Sequence, residues 1–402
     1  MYYERKLRDK RKTIWLLGLG LLFMMITLMH TDKIMAATSS GYAANGVQKN
    51  VTEYLPTGQN GENTTVGRYA LNYTGNINVY SSPSPGNDDV TYRSQTLQGW
   101  SNSSMGTLYG DNNTTKVVKA YLIWETRKRY NKDDNNANHV TFIMHDARTY
   151  WNIYPDRVYV DDRSSQYVSG WEQPRPRVYC NVADVTNIVQ TYGYGDYYVA
   201  NMPVCSASDL WEQDTGGGGT PTGWQLIVVE ENEDYPVRAV TLKAGSVYRF
   251  GNADWEGNTY GSTDAERATV TMGTELFNGL KTKEYGDVTG QVLFGSINAS
   301  TSGNGMGVNL YTQQQIGAAK SLRSAGDTPR EGGFYRGSDY FAQGHDLCSV
   351  LYEVSGLEQG ASVFGVDITR VSWNTQLYIG AAVDIAFPEF ESQQTTSISD
   401  GK

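Results

Sequence analysis

Histidine and cysteine are scarce in this chain of 402 residues, at four and three copies, and each shortage removes a class of chemistry. No CxxC pair occurs, which excludes zinc ribbons and thioredoxin-like redox motifs, because both need two thiols on one turn. An HExxH helix, a GxSxG elbow, a Walker A loop and a strand-borne GxGxxG are also absent, so the common hydrolase, nucleotide and dinucleotide signatures are missing. Cations are the third shortage: 33 Lys and Arg stand against 43 Asp and Glu, a net charge of -10 with a pI near 5.0. Such a surface repels phosphate backbones and anionic lipid, so no nucleic acid is expected as a partner. Helical periodicity over ten or more residues is nearly absent.

The chain does contain 43 glycines and 29 tyrosines, a composition of turns and extended segments. Residues 1–12 carry six basic and two acidic side chains, and the run from Ile14 to Met29 has no charge. With a polar stretch and small Ala36 following, the order is that of a signal peptide cleaved after residue 36. The apolar run falls short of the roughly 20 residues a membrane span needs. No stable membrane span is expected after cleavage, and the body beyond Ala36 holds 26 basic against 40 acidic residues. Export predicts a secreted or cell-wall associated, extracellular protein.

Residues 37–65 are polar and weakly periodic and read as an N-terminal arm with few core residues. Beyond it, alternating or continuous apolar runs mark strands at 66–79, 117–124, 140–144, 157–160, 197–200, 224–229, 237–242 and 246–250. After a Gly, Asn and Asp-rich loop, further strands are expected at 268–272, 290–294, 349–354, 361–368 and 377–387. One short helix is expected over Val185–Tyr192, with Asp184 as N-cap and Gly193 as its stop. The fold class is therefore all-β: two β-sandwich, jelly-roll-like domains at 66–250 and 267–390, a linker at 251–266 and a polar tail at 391–402.

The stretch Tyr179–Ala200, with its Ala183-Asp184-Val185-Thr186 turn, followed by Gly223–Glu231 and preceded by Ala120-Tyr121-Leu122-Ile123-Trp124, resembles the N-terminal module of large exported Gram-positive bacterial cell-surface, adhesin-like proteins. The ADVT turn is also similar to a corner of galactose-binding-like jelly rolls, which implies that topology for the first unit. The likeness extends more loosely to 290–390 through Val366–Ile368 and Ile379–Asp384. It implies a non-catalytic surface module, and it carries over no catalytic residue.

The residues themselves offer few catalytic candidates. His139 and His145, six residues apart on an expected strand, would lie about 20 Å from one another, too far to share a metal, and His345 is isolated. Asp214-Thr215-Gly216 spells the aspartic-protease triplet but has no second copy to share a proton. Calcium is the possible cofactor, with Asp133, Asp134, Asp161 and Asp162 as candidate ligands in oxygen-rich loops, and Glu230–Asp234 forms another acidic run. Cys180 and Cys205 flank the Asp184 turn and the Tyr197 strand, nearly symmetric about Gly193, and are expected to form a disulfide, which would contribute roughly 3.5 kcal/mol. Aromatic residues in Gly-rich loops, Trp211, Trp255, Tyr260, Tyr335 and Tyr340, are the candidate ligand contacts, since Tyr and Trp give large amphipathic contact area. The expected function is a non-catalytic adhesin-like or matrix-binding module that contacts a host or matrix surface, a glycan or a cell-wall component. Two alternatives stand beside it: a carbohydrate-binding or carbohydrate-active protein on the same scaffold, and a structural subunit of a cell-wall assembly.

Overall fold

A computed structural model describes residues 47–49, 52–58, 60–81, 91–92, 97, 99–100, 103–128, 139–161, 177–202, 222–250, 271–277, 281–299, 307–312, 320–323, 346–361, 364–369 and 373–385. The signal peptide and the polar tail expected from sequence lie outside them. In chain order the strands are β1 (Val47–Lys49), β2 (Thr52–Leu55), β3 (Thr64–Gly67), β4 (Tyr69–Ser81), β5 (Thr91–Tyr92), β6 (Ser104–Leu108) and β7 (Lys116–Lys128). They continue with β8 (Val140–Ile143), β9 (Tyr150–Ile153), β10 (Arg157–Asp161), β11 (Arg177–Asp184), the helix α1 (Thr186–Tyr192), β12 (Gly195–Ala200), β13 (Thr222–Glu231) and β14 (Arg238–Phe250). The rest are β15 (Thr271–Phe277), β16 (Thr289–Ala299), β17 (Gly307–Thr312), β18 (Lys320–Arg323), β19 (Asp346–Ser355), β20 (Phe364–Thr369) and β21 (Trp373–Asp384). The chain is all-β, with α1 as one short helix among the described residues.

Four sheets result. Sheet I runs β1-β10-β11-β7-β13-β4-β5, sheet II β6-β12-β8-β9, sheet III β19-β16-β21-β14-β2 with β3 also on β14, and sheet IV β15-β20-β17-β18. Nearly every pairing is antiparallel; β1 joins β10 in parallel.

Three cores show how the sheets stack. Leu71, Ile123, Cys180 and Ile227 of sheet I pack with Leu242, Leu293, Tyr378 and Ala382 of sheet III. The other face of sheet I, with Leu122, Trp124, Trp224 and Leu226, packs on Phe142 and Tyr197 of sheet II. The other face of sheet III, with Val292, Phe294, Ile379 and Val383, packs on Phe277 of sheet IV. The layers therefore lie in the order II, I, III, IV. Sheets I and III are covered on both faces, which is why 117–124 and 224–229 read as continuous apolar runs instead of alternating ones. The outer strand β6 keeps the alternation of a half-solvated strand, with Ser104, Gly106 and Leu108 buried and Met105 and Thr107 half-buried.

The arm, expected to hold few core residues, contributes Leu55, which is fully buried in the layer between sheets I and III. It is held from sheet I as well, by Arg157 Nη1 donating to Tyr54 O (2.9 Å), Tyr159 OH to Glu53 (3.1 Å) and Tyr121 OH to Pro56 O (2.8 Å). The two strands expected at 237–242 and 246–250 are one, β14, whose register against β21 shifts between Ala244 and Val247. β14 closes the stretch assigned to the first sandwich, yet it pairs with β21 of the second stretch and with β2 and β3 of the arm. The expected linker 251–266 lies outside the described residues. The helix starts one residue late: Val185 occupies the N-cap with no side-chain cap bond. Asp184 instead accepts from the Thr186 N–H and from Lys119 Nζ, the latter at 2.6 Å. Gly193 ends the helix at φ 70°, a left-handed conformation that glycine adopts without strain.

Candidate functional site

The antiparallel register places many strand ends at one end of the stack. In sheet I, Thr222 pairs with Val79, Arg177 with Lys128, and Val178 with Asp161. In sheet III, Phe250 pairs with Trp373 and Ala299 with Asp346. Two bonds between the sheets align these ends with each other: Ser246 Oγ donates to Val178 O at 2.8 Å, and Cys180 Sγ to Leu377 O at 3.7 Å. The connections attached to these ends include 129–138, 162–176, 203–221, 251–270 and 324–345, which carry Asp133, Asp134, Asp162, Trp211, Trp255, Tyr260, Tyr335 and Tyr340. All of those residues lie outside the described ones, and Asp161 is the last residue of β10. The opposite ends are closed by short turns, such as the one in which Tyr235 N bonds Asn232 O.

Just inside the loop-bearing end, between sheets I and III, lies a polar group that the sequence reading did not single out. Glu125 is fully buried. Its carboxylate accepts the Gly223 N–H at 3.1 Å and Gln225 Nε2 at 3.0 Å. Directly across the ladder is Cys180, whose thiol is pushed well above its ordinary range by burial and then by the Glu125 charge. A protonated, enclosed thiol is a poor nucleophile. Cys180 is a free thiol turned into the closed layer between the sheets, and Cys205, its expected partner, lies outside the described residues. Glu125 escapes sequence reading because it directly follows an apolar run, Leu122–Trp124, that marks only a buried strand. Its one sequence signal is a charge at a position whose alternate neighbour, Ile123, faces the core.

The remaining candidates have structural surroundings. Glu230, from the acidic run, is 2% exposed and accepts from Asn72 Nδ2 (2.8 Å), Tyr194 OH (3.0 Å) and Tyr235 OH (2.6 Å). Its oxygens are engaged by the protein, and the Tyr194 hydroxyl is held protonated by burial and by that neighbouring charge. His145 places Nδ1 2.6 Å from Asp196 O and Nε2 2.9 Å from Tyr192 O, tying the turn after β8 to the end of α1. His139 packs against Tyr154, and His345 lies outside the described residues. Among the described residues no three His, Cys, Asp or Glu side chains gather as metal ligands would, and no helix is long and apolar enough to cross a membrane.

No family model matches the chain, and no curated protein matches it. Among solved structures, PNGF-II in space group C2 is 11% identical over 80% of this chain and 65% of its own, with a TM-score of 0.22. BuGH86 in complex with neoagarooctaose is 11% identical over 68% of this chain and 34% of its own, with a TM-score of 0.18. A variant of that protein with the same oligosaccharide is 9% identical over 70% and 30%, again at 0.18. The chain spans less than two thirds of the length of each. At these scores the likeness carries no argument about activity.

Proposed function

We propose that this chain is an exported, non-catalytic surface-binding protein of adhesin-like character, which grips a glycan, cell-wall or matrix surface through loops at one end of its sheet stack. The observation that carries the reading is the shared location of the strand ends from which the aromatic and acidic loops depart. A doubly covered stack fixes those ends rigidly, and a rigid scaffold with variable connections at one end is how sandwiches hold ligands. The signal-peptide pattern at residues 1–36 supports export, and the protonated Cys180 thiol fits a core role for the buried end.

Arrays of glycans and matrix proteins test the reading. Trp211→Ala and Trp255→Ala should each weaken retention about tenfold, roughly 1.4 kcal/mol, with the melting temperature little changed. Retention equal to the wild type in both variants, or lost only together with folding, would leave the loops a structural role and overturn the proposal.

A further inference from the structure

Five large hydrophobic side chains stand exposed among the described residues, and two of them, Tyr150 at 51% and Tyr154 at 39%, come from one five-residue stretch. That stretch is β9 and the residue after it. Alternation along the strand puts Tyr150, Asn152 and Tyr154 on the outward face, while Trp151 and Ile153 pack against the core between sheets I and II. Four residues of extended chain separate the two tyrosines by about 13 Å.

Each tyrosine is backed by a second ring. Trp100 meets Tyr150 edge to face, with centroids 5.0 Å apart at 69°, and His139 lies 5.0 Å from Tyr154 at 35°. A ring braced on one side and open on the other loses little freedom when something stacks on it, so less of the contact energy is spent on ordering. Between the rings, the Asn152 carbonyl oxygen accepts from Thr141 Oγ1 at 3.1 Å. This orients the exposed amide and leaves its nitrogen to donate. From Tyr150 to Tyr154 the sequence is Tyr-Trp-Asn-Ile-Tyr, without a charge, on a chain of net charge -10. Two apolar faces with hydroxyl edges, an amide between them and no charge match the alternation of C–H faces and hydroxyl rims along a neutral sugar chain.

We propose that the outward face of β9 is a glycan site for an extended, uncharged oligosaccharide, with Tyr150 and Tyr154 stacking on separate sugar rings and Asn152 donating to a hydroxyl between them. The site uses none of the loop-end residues, so it stands or falls separately from the reading above.

Calorimetric titration of the full chain with neutral hexaoses of the cello, xylo, galacto and chito series tests it. At least one series should bind, and Tyr150→Ala and Tyr154→Ala should each weaken that binding about tenfold or more with an unchanged melting temperature. Tyr150→Thr, which keeps strand propensity, serves if the alanine variant fails to fold. Tyr150→Trp should retain binding, and Trp255→Ala should leave it intact. The proposal is overturned if no hexaose binds, if the Tyr150→Thr and Tyr154→Ala variants bind as the wild type does, or if Trp255→Ala alone abolishes the signal.

Discussion

Replacing Asp384 by alanine should destabilise the fold by about 3–5 kcal/mol, the loss typical of breaking a buried ion pair from one side. Asp384 is 3% exposed at the end of β21. It accepts Arg238 Nε at 3.0 Å, the Thr289 N–H at 2.9 Å and Thr289 Oγ at 2.8 Å, with Lys283 Nζ at 3.5 Å. These donors belong to β14, to the start of β16 and to the turn before it, so one carboxylate ties β21 to two strands of sheet III and a turn. Alanine would leave the Arg238 guanidinium buried without its counter-charge and the Thr289 N–H without its acceptor. The double variant Arg238→Met with Asp384→Leu should recover most of the loss, because it removes the stranded charge and fills the volume. Chemical denaturation at neutral pH measures both. A loss below about 1 kcal/mol for Asp384→Ala would match an exposed pair and would mean that water reaches this carboxylate.

Leu55→Ala should destabilise by about 2–5 kcal/mol, the range for a leucine removed from a packed core. Leu55 pairs with Leu242 in sheet III and is fully buried against sheet I. The same short strand and Pro56 after it take hydrogen bonds from Arg157, Tyr159 and Tyr121 of sheet I. The arm is thus a seam between the two large sheets, and its loss is felt in both. Val66→Ala, at a side chain 48% exposed on the neighbouring β3, is the internal control and should stay within about 0.5 kcal/mol of the wild type. Equal denaturation midpoints for Leu55→Ala and wild type would show the arm to be an ornament after all.

The arm also shows where reading a sequence stops. TEYL, residues 52–55, has one strong hydrophobe between polar residues, and nothing local distinguishes it from a solvated tail. Its burial depends on β14, whose Leu242 pairs with Leu55 from 187 residues further along the chain. β14 itself was legible as extended chain, but its partner was not. Strand pairing is a long-range choice, and Arg238–Phe250 carries no mark saying whether it should join Val229 or Ala382. β9 was missed for a related reason. Its four residues are too few for a periodic signal, and the same aromatics would suit a core.

What the sequence determined by itself is local. Its alternating and continuous apolar runs specify strands, because a period of two can bury only a strand face. Its lack of a 3.6-residue period leaves room for little helix, and Gly193 stops the short one among the described residues because few other residues accept a positive φ there. Acidity and the scarcity of His and Cys likewise shape which partners and chemistries are expected, without a fold. The tertiary structure decided what depends on distant partners: the order of the four layers, the capture of the arm by sheets I and III, and the burial of Glu125 opposite a free Cys180. It also decided that the strand ends flanking the aromatic segments lie together while Tyr150 and Tyr154 line a separate face. These outcomes rest on which sheet faces which, and that is set by the sum of many weak packing contacts between segments hundreds of residues apart.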